Sequence, residues 1–294
     1  MIINTDSIYI KGHNHKVCED YSIDGSVPTL NDSLGDVHYA IVCDGCSGSD
    51  GYVDVGARLI AHGLIKFLRN MGNSVHYYYR EPTGFYENLQ FHMQRVIYNS
   101  AENFGLSKLS FVATIQAIIV IKDKLFHFHY GDGSIIHYCD GDIHRPYYTD
   151  FPSGAPYYFV DSFEGRDMER YCKRFEMNKV IQDGVEFDVH DYVYEWSNFW
   201  NVIDLNTMAD GNNVFAVTSD GIETCYYNDD NDNGKQVAVD FDDTLNAAFC
   251  FKNFQGEFVK RRFNKFFKVM EDSKIKHYDD ISVAAISIKK EGDL

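Results

Sequence analysis

Three aspartates stand where short apolar stretches stop, each followed by glycine. Ala40-Ile41-Val42-Cys43 runs into Asp44-Gly45, Phe126 to Gly131 into Asp132-Gly133, and Phe215 to Ser219 into Asp220-Gly221. Two acidic pairs instead precede apolar stretches: Glu19-Asp20 before Tyr21-Ser22-Ile23, and Asp279-Asp280 before Ile281-Ser282-Val283. In an antiparallel sheet the end of one strand lies beside the start of its neighbour, so these carboxylates can gather on one rim. Gathered without cations they would repel and their pKa values would rise. A divalent cation relieves that repulsion, and an all-oxygen ligand set favours Mg²⁺ or Mn²⁺ over zinc or copper. A glycine after each Asp allows a sharp turn or a close approach by its own carbonyl.

Asp-Gly is also a common turn dipeptide. Asp24-Gly25, Asp140-Gly141, Asp183-Gly184 and Asp210-Gly211 are read as turns, because no buried apolar strand runs directly into them. Taken alone, the three strand-end aspartates leave metal site and ordinary turn both open.

The elements that must position them follow from periodicity. Strands are predicted at Ser7 to Ile10, Tyr21 to Ile23 and Val37 to Cys43, then helices at Val53 to Asn70 and Phe85 to Phe104. A hairpin follows, Ala113 to Ile121 and Leu125 to Tyr130 around Lys122-Asp123-Lys124. Residues 140–210 are rich in Tyr, Asp and Gly and read as an irregular insert or flap in one domain spanning 1–294. Beyond it come a strand at Val214 to Thr218, helices at Leu245 to Phe251 and Phe258 to Met270, and a strand at Ile281 to Ile288. Strands and helices do not alternate one for one, so an antiparallel α+β layering is expected rather than a doubly wound parallel sheet.

Composition narrows the function. The 294 residues are 45% hydrophobic and 15% aromatic, ample for a large core. The net charge of −17 disfavours nucleic acid and anionic membrane as partners. The basic run around Lys260-Arg261-Arg262 is interleaved with Phe258, Phe263, Phe266 and Phe267, as on the polar face of an amphipathic helix. There is no signal pattern in the first ten residues and no apolar run of membrane-spanning length. Seven scattered cysteines fit reduced thiols, and the expectation is a cytoplasmic monomer.

Three other constellations are read structurally. Cys43-Asp44-Gly45-Cys46 spells C-x-x-C, but Cys43 lies in a strand and no second pair completes a zinc site. Asp229 to Asp240 has calcium-loop spacing, yet Gln236 replaces the usual apolar residue and the last carboxylate is Asp, so it is read as a solvated acidic turn. His127 and His129 share a strand face and are read as buried strand histidines rather than a metal pair. Arg58 and Arg69 are expected on the helix surface, and Trp196 and Trp200 in flap or core packing.

In order, Gly12 to Ser22 (GHNHKVCEDYS), Tyr39 to Asp50 (YAIVCDGCSGSD), Val53 to Leu59, Ala113 to Gly133, Phe215 to Glu223 (FAVTSDGIE) and Tyr278 to Ser287 (YDDISVAAIS) resemble the PP2C-type metal-dependent protein phosphatases. The resemblance is to the shorter bacterial and phage-borne members. It implies a four-layer α-β-β-α sandwich of two antiparallel sheets flanked by helix pairs. It implies that Asp44 bridges two Mn²⁺ or Mg²⁺ ions, with Gly45 offering its carbonyl. Glu19, with Asp20 close behind, would complete one metal's shell, and Asp220 and Asp279 would hold the other. Asp132 would bind an optional third metal with Asp220. The implied reaction is hydrolysis of phosphoserine or phosphothreonine in a phosphoprotein substrate, by a water bridging the two metals.

The sequence departs from the family pattern at two chemical positions. His15 stands where many members have a phosphate-clamping Arg; as a cation it would partly take that catalytic role beside Asp44, though it cannot make the bidentate fork. Cys46 stands where eukaryotic relatives have a His thought to serve the leaving group. These departures predict modest turnover or an altered substrate preference. They also keep two alternatives in play, a catalytically inert PP2C-like module that binds phosphoproteins or a partner, and a calcium-binding interaction protein built on residues 229–240.

Overall fold

In the computed structural model the described residues are 1–29, 34–46, 51–151, 154, 156–163, 165–174, 179–229 and 235–290. The chain opens with β1 (Ile2–Ile10), β2 (Tyr21–Val27) and β3 (Val37–Cys43), then α1 (Val53–Asn70), α2 (Val75–Arg80) and α3 (Pro82–Phe104). Four strands follow: β4 (Ile115–Ile121), β5 (Lys124–Tyr130), β6 (Gly133–Cys139) and β7 (Asp142–Asp150). Next come α4 (Gly165–Arg174), β8 (Lys179–Gln182), β9 (Val185–Asp188), α5 (Val189–Tyr194) and β10 (Trp200–Asp204). The last third holds β11 (Asn212–Thr218), β12 (Cys225–Asp229), β13 (Lys235–Ala238), α6 (Phe241–Phe249), α7 (Phe258–Asp272), β14 (Lys276–His277) and β15 (Ile281–Lys289).

Two antiparallel sheets face each other. One runs β1-β15-β11-β6-β7-β8-β9 and the other β10-β5-β4-β3-β2, with a small β13-β12-β14 sheet beside them. Strand alternation builds three apolar layers. On the five-stranded sheet Tyr39, Ile41, Ala117, Ile119, Phe126 and Phe128 face α1 and α3, while Ala40, Val42, Ile118, Val120 and Leu125 face the other sheet. On the seven-stranded sheet Val214, Ala216, Val283 and Ala285 pack under α6 and α7, and Phe215, Val217, Ala284 and Ile286 turn inward. The result is the α-β-β-α sandwich anticipated above.

The helices form for local reasons. In α1 the buried residues Gly56, Ala57, Ile60, Ala61, Leu64, Phe67 and Leu68 recur at helical spacing, and the backbone of Ser110 touches Gly56 so closely that a side chain there would clash. Helix α3 begins at Pro82, earlier than expected, because proline is pre-organised for the first turn, and ends at Gly105 in the left-handed conformation. Helix α6 starts earlier than predicted because the Asp240 side chain accepts from Asp243 N at 3.1 Å.

Several sequence expectations change. Residues 140–210 hold short strands and helices, and in their described part those strands are built into the sheets. Strands β7, β8 and β9 extend the seven-stranded sheet and β10 edges the other, so the segment belongs to both sheets. Asp24-Gly25 lies inside β2, where Asp24 accepts from Thr5 at 2.7 Å and Ser7 at 2.8 Å on β1 and ties the two sheets together. Asp140-Gly141 and Asp183-Gly184 do turn the chain, both residues of each with positive φ. Arg58 is not a plain surface residue, since its guanidinium lies 4.9 Å from the Tyr21 ring centre. His127 and His129 are fully buried and stacked, ring centres 4.7 Å apart, between the sheets. Trp200 stacks on Tyr86 at 4.5 Å. Of the candidate calcium loop, 229–240, residues 230–234 lie outside the described residues, while Lys235–Ala238 form β13 and the Asp240 side chain caps α6. No described helix is long and apolar enough to cross a membrane.

Candidate active site

The two sheets bring their carboxylates to one end of the sandwich. Asp20 precedes β2 and Asp44 follows β3 on one sheet; Asp220 follows β11 and Asp279 precedes β15 on the other. Asp132 sits between β5 and β6, at the crossing from one sheet to the other, with Gly131 and Gly133 both at positive φ. Asp44 is held by a backbone clamp: its N–H reaches Thr114 Oγ1 at 3.3 Å and its carbonyl accepts Thr114 N at 2.7 Å. Gly45 pairs with Ala113, and Cys46 N donates to Val112 O at 2.9 Å, so the corner cannot swing. A side chain on Gly45 would press on the Glu19 carbonyl at 3.0 Å.

Asp44 is the centre of the cluster. Its carboxyl lies within hydrogen-bonding reach of both Asp20 and Asp220. Burial first, then the charges of Asp20 and Asp220, push the Asp44 carboxyl well above the carboxylate range. Burial raises Asp20 to about 7, against the hydrogen bond it accepts from Ser219 Oγ at 2.9 Å. Burial and the neighbouring Asp279 raise Asp220 to about 6. Asp132 is raised by burial and by Asp220, Asp150 and Glu223.

The predicted residues do not all behave alike. Asp20, rather than Glu19, is the side chain that meets Asp44; Glu19 joins through its backbone, donating to Asp280 Oδ2 at 2.6 Å. His15 faces Asp280 Oδ2 at 3.0 Å and Asp279 Oδ1 at 3.3 Å, an ion pair with two carboxylates. Burial opposes its charge, but Asp280 and Asp279 hold the His15 pKa above its usual value. Asp279 is half-buried, its N–H donating to Thr224 Oγ1 at 3.1 Å and its carbonyl contacted by His277 Nδ1 at 2.8 Å.

Sequence reasoning set Asp280 on the rim beside Asp279 without giving it a role, and missed Asp150 and Glu223. Asp280 is fully buried and gathers Gly12 N, Glu19 N and His15 onto one carboxylate. Its signal was present, since it adjoins Asp279. Glu223 pairs with Arg145, which also donates to Ser134 Oγ at 2.7 Å. Asp150 ends β7, where no local pattern marks it. A cleft of about 560 Å³, lined by His13, Phe267, Met270 and His277 among others, contains none of the clustered carboxylates.

Among the described residues no three His, Cys, Asp or Glu side chains form a closed metal shell; the carboxylates meet in pairs through Asp44. Their chemistry nevertheless fits a hard divalent cation. The donors are all oxygen, and Asp20 Oδ1 is buried with no hydrogen-bond partner, a lone pair in need of a positive ligand.

No family model and no curated protein sequence matches this chain. Solved structures do. A bacterial serine phosphatase bearing an arginine-to-glutamate mutation superposes with a TM-score of 0.57 at 11% identity, covering 98% of this chain and 100% of that one. The catalytic domain of the serine/threonine phosphatase PstP, solved with two manganese ions, gives 0.52 at 12% identity, covering 98% and 99%. The PP2C phosphatase domain of SpoIIE from Bacillus subtilis, with a fragment of its regulatory domain, gives 0.52 at 11% identity, covering 98% of this chain and 64% of that one. The likeness is one of fold, the PP2C phosphatase sandwich carried over nearly the whole chain.

Proposed function

We propose that the protein is a PP2C-like phosphatase that hydrolyses phosphoserine or phosphothreonine in proteins with the help of Mn²⁺ or Mg²⁺. The single observation that carries the reading is Asp44 reaching Asp20 on its own sheet and Asp220 on the facing one, a crowded carboxyl set, with Asp20 fully buried and the other two half-buried, whose pKa values are all raised. The fold shared with serine/threonine phosphatases, one of them holding two manganese ions, supports it.

Asp44, Asp20, Asp220 and Asp279 would hold two cations, with the Gly45 carbonyl and Glu19 beside them and Asp132 toward a third. When bound, the cations acidify the attacking water and neutralise charge on the phosphoryl oxygens. The chain's own residues do the positioning. The Thr114 clamp fixes Asp44, Ser219 orients Asp20, and Asp280 draws the Gly12–Glu19 loop against the start of β15. His15 is committed to Asp279 and Asp280, so its part is to orient Asp279 rather than to grip phosphate.

The test is hydrolysis of p-nitrophenyl phosphate with Mn²⁺, comparing wild type with Asp44→Asn, alongside Mn²⁺-dependent thermal stabilisation of both. Wild type should turn over and be stabilised; Asp44→Asn should do neither. Absence of metal-dependent turnover in wild type above the variant overturns the reading. Stabilisation by Mn²⁺ without turnover would favour the inert, phosphoprotein-binding module.

A further inference from the structure

Asp132 stands at a corner with little steric restraint of its own. Glycine flanks it on both sides, Gly131 at φ +80° and Gly133 at φ +129°. Two side chains at the start of β4 close on that corner. Thr114, whose Oγ1 and backbone already hold Asp44, lies against Gly131, where an added Cβ would meet Thr114 Cγ2 at 2.8 Å. Gln116, two residues on, donates from Nε2 to the Asp132 carbonyl at 3.1 Å. It lies against Gly133, where an added Cβ would sit 2.9 Å from that same nitrogen.

Gln116 is fully buried, so its amide must be satisfied at both ends. The other end, Oε1, is bonded to His127 Nε2 at 3.0 Å. His127 Nδ1 is buried without a partner, which leaves the ring's proton on Nε2, where Oε1 accepts it. That donation fixes the amide: turned over, it would set its own carbonyl against the Asp132 carbonyl.

His127 is fixed in turn. It stacks on His129 with ring centres 4.7 Å apart, and the Tyr147 ring meets it edge-on at 4.8 Å. The Tyr86 hydroxyl donates to its carbonyl at 2.9 Å. His129 Nε2 is bonded to the Tyr147 hydroxyl at 2.7 Å, and that hydroxyl donates to Asn198 O at 3.1 Å. A line of buried polar contacts thus runs from β7 and the residues before β10 to the Asp132 backbone. Ala40, Val42, Ile118 and Val217 fill the same inter-sheet layer with apolar side chains, at no desolvation cost. What the polar line adds is a directional hold on Asp132 that an apolar contact cannot give.

We infer that Gln116, oriented by His127, is the positioning residue for Asp132: it pins the Gly131-Asp132-Gly133 corner so that the carboxylate stands ready for a divalent cation. The role rests on the phosphatase reading above, in which Asp132 reaches toward a third ion. Such preorganisation raises affinity because the corner need not be ordered when the ion arrives.

The test is Mn²⁺ binding without substrate, read from the electron paramagnetic resonance signal of the free ion. Asp132→Asn first identifies the ion that Asp132 holds, as the one whose affinity falls. Gln116→Met, close in volume but without an amide, should weaken that ion by about 10-fold and the others by less than about 2-fold. In the Asp132→Asn background Gln116→Met should have no further effect. Ile118→Ala, which opens a cavity in the same layer, should leave every Mn²⁺ affinity within about 2-fold of wild type. Unchanged affinities in Gln116→Met overturn the inference. So does a loss that persists in the Asp132→Asn background or is matched by Ile118→Ala. If Gln116→Met does not fold, Gln116→Asn takes its place, since an amide one methylene shorter cannot span His127 and Asp132. Wild type that binds Mn²⁺ no differently from Asp132→Asn overturns the inference and leaves the phosphatase reading standing. Wild type that binds no Mn²⁺ sinks both.

Discussion

The Asp280 carboxylate lies 3.0 Å from His15 Nδ1, with no exposed surface of its own. The same carboxylate accepts Gly12 N and Glu19 N at 2.6 Å each. One buried anion thereby joins the start of β15 to the loop that carries Glu19 and Asp20. Replacing Asp280 by Ala should cost about 3 kcal/mol, because His15 and two N–H donors lose their acceptor together. Asp280→Asn keeps one oxygen acceptor and should cost about 1 kcal/mol. Urea unfolding in EDTA measures both.

The pair also sets a pH window. The His15 pKa is raised in the fold, so its contribution is complete below its unfolded pKa near about 6.5 and is lost as pH rises through the folded value. For Asp280, burial is outweighed by the neighbouring His15 and the hydrogen bonds accepted from Gly12 and Glu19, and its pKa is lowered. Its contribution is present above about 3.9 and is lost as pH falls through the folded value. His15→Gln should therefore cost most between those limits and progressively less at alkaline pH. Urea midpoints of the two proteins in EDTA, plotted against pH, check this; a constant gap between them would refute it.

The carboxylate rim was legible because strands that run apolar on both faces, such as Ala40-Ile41-Val42-Cys43, end abruptly at a polar residue. Helix α1 was legible from its apolar stripe. The insert was not. Strand β7 mixes Asp142, His144, Arg145 and Thr149 with tyrosines, and its ladder is imposed by β6 and β8 rather than by its own pattern. Asp24-Gly25 looked like a turn since the decisive partners, Thr5 and Ser7, come from another sheet. His15 occupies the expected place but faces carboxylates, a relationship that only tertiary structure creates.

Acid should weaken the inter-sheet core. His127 Nε2 is bonded to Gln116 Oε1 at 3.0 Å and His129 Nε2 to the Tyr147 hydroxyl at 2.7 Å, while both Nδ1 atoms are buried without partners. Burial lowers the pKa of His127 well below its usual value and that of His129 to about 3. The unfolded chain therefore binds more protons, and stability falls as pH drops below about 6.5. Each histidine should contribute up to about 1.4 kcal/mol per pH unit in that range. His129→Gln should flatten the slope of unfolding free energy against pH by about one proton.

Glycine at 221 is a steric requirement. A Cβ there would lie 1.7 Å from the Asp280 carbonyl oxygen, so the backbones carrying Asp220 and Asp280 could not stay in contact. Gly221→Ala should cost about 3 kcal/mol or more and reduce Mn²⁺-dependent stabilisation, since Asp220 would be displaced. Gly141→Ala is a useful contrast: the same added Cβ meets nothing within 4 Å, although its φ of +112° still strains the chain. It should lower stability without altering the response to Mn²⁺. Melting curves with and without the ion separate the two effects.

Cation binding should release protons and depend steeply on pH. Asp20 is raised to about 7 and Asp220 to about 6, chiefly by burial, so near neutrality the metal-free cluster retains protons that a cation must displace. Because these folded pKa values exceed the unfolded one of about 3.9, the metal-free native state binds the extra protons. Its stability therefore declines as pH rises through the range between the unfolded and folded values. A cation reverses that loss by neutralising the exposed charge. EDTA should thus lower the melting temperature more at pH near about 8 than near about 5.5. Calorimetric titration with Mn²⁺ in buffers of different ionisation enthalpy should show net proton release near neutrality, shrinking as pH rises above the value for Asp20. Binding without proton release near neutrality would mean that the cluster is already ionised, and that Asp44 does not share its proton with Asp20 and Asp220.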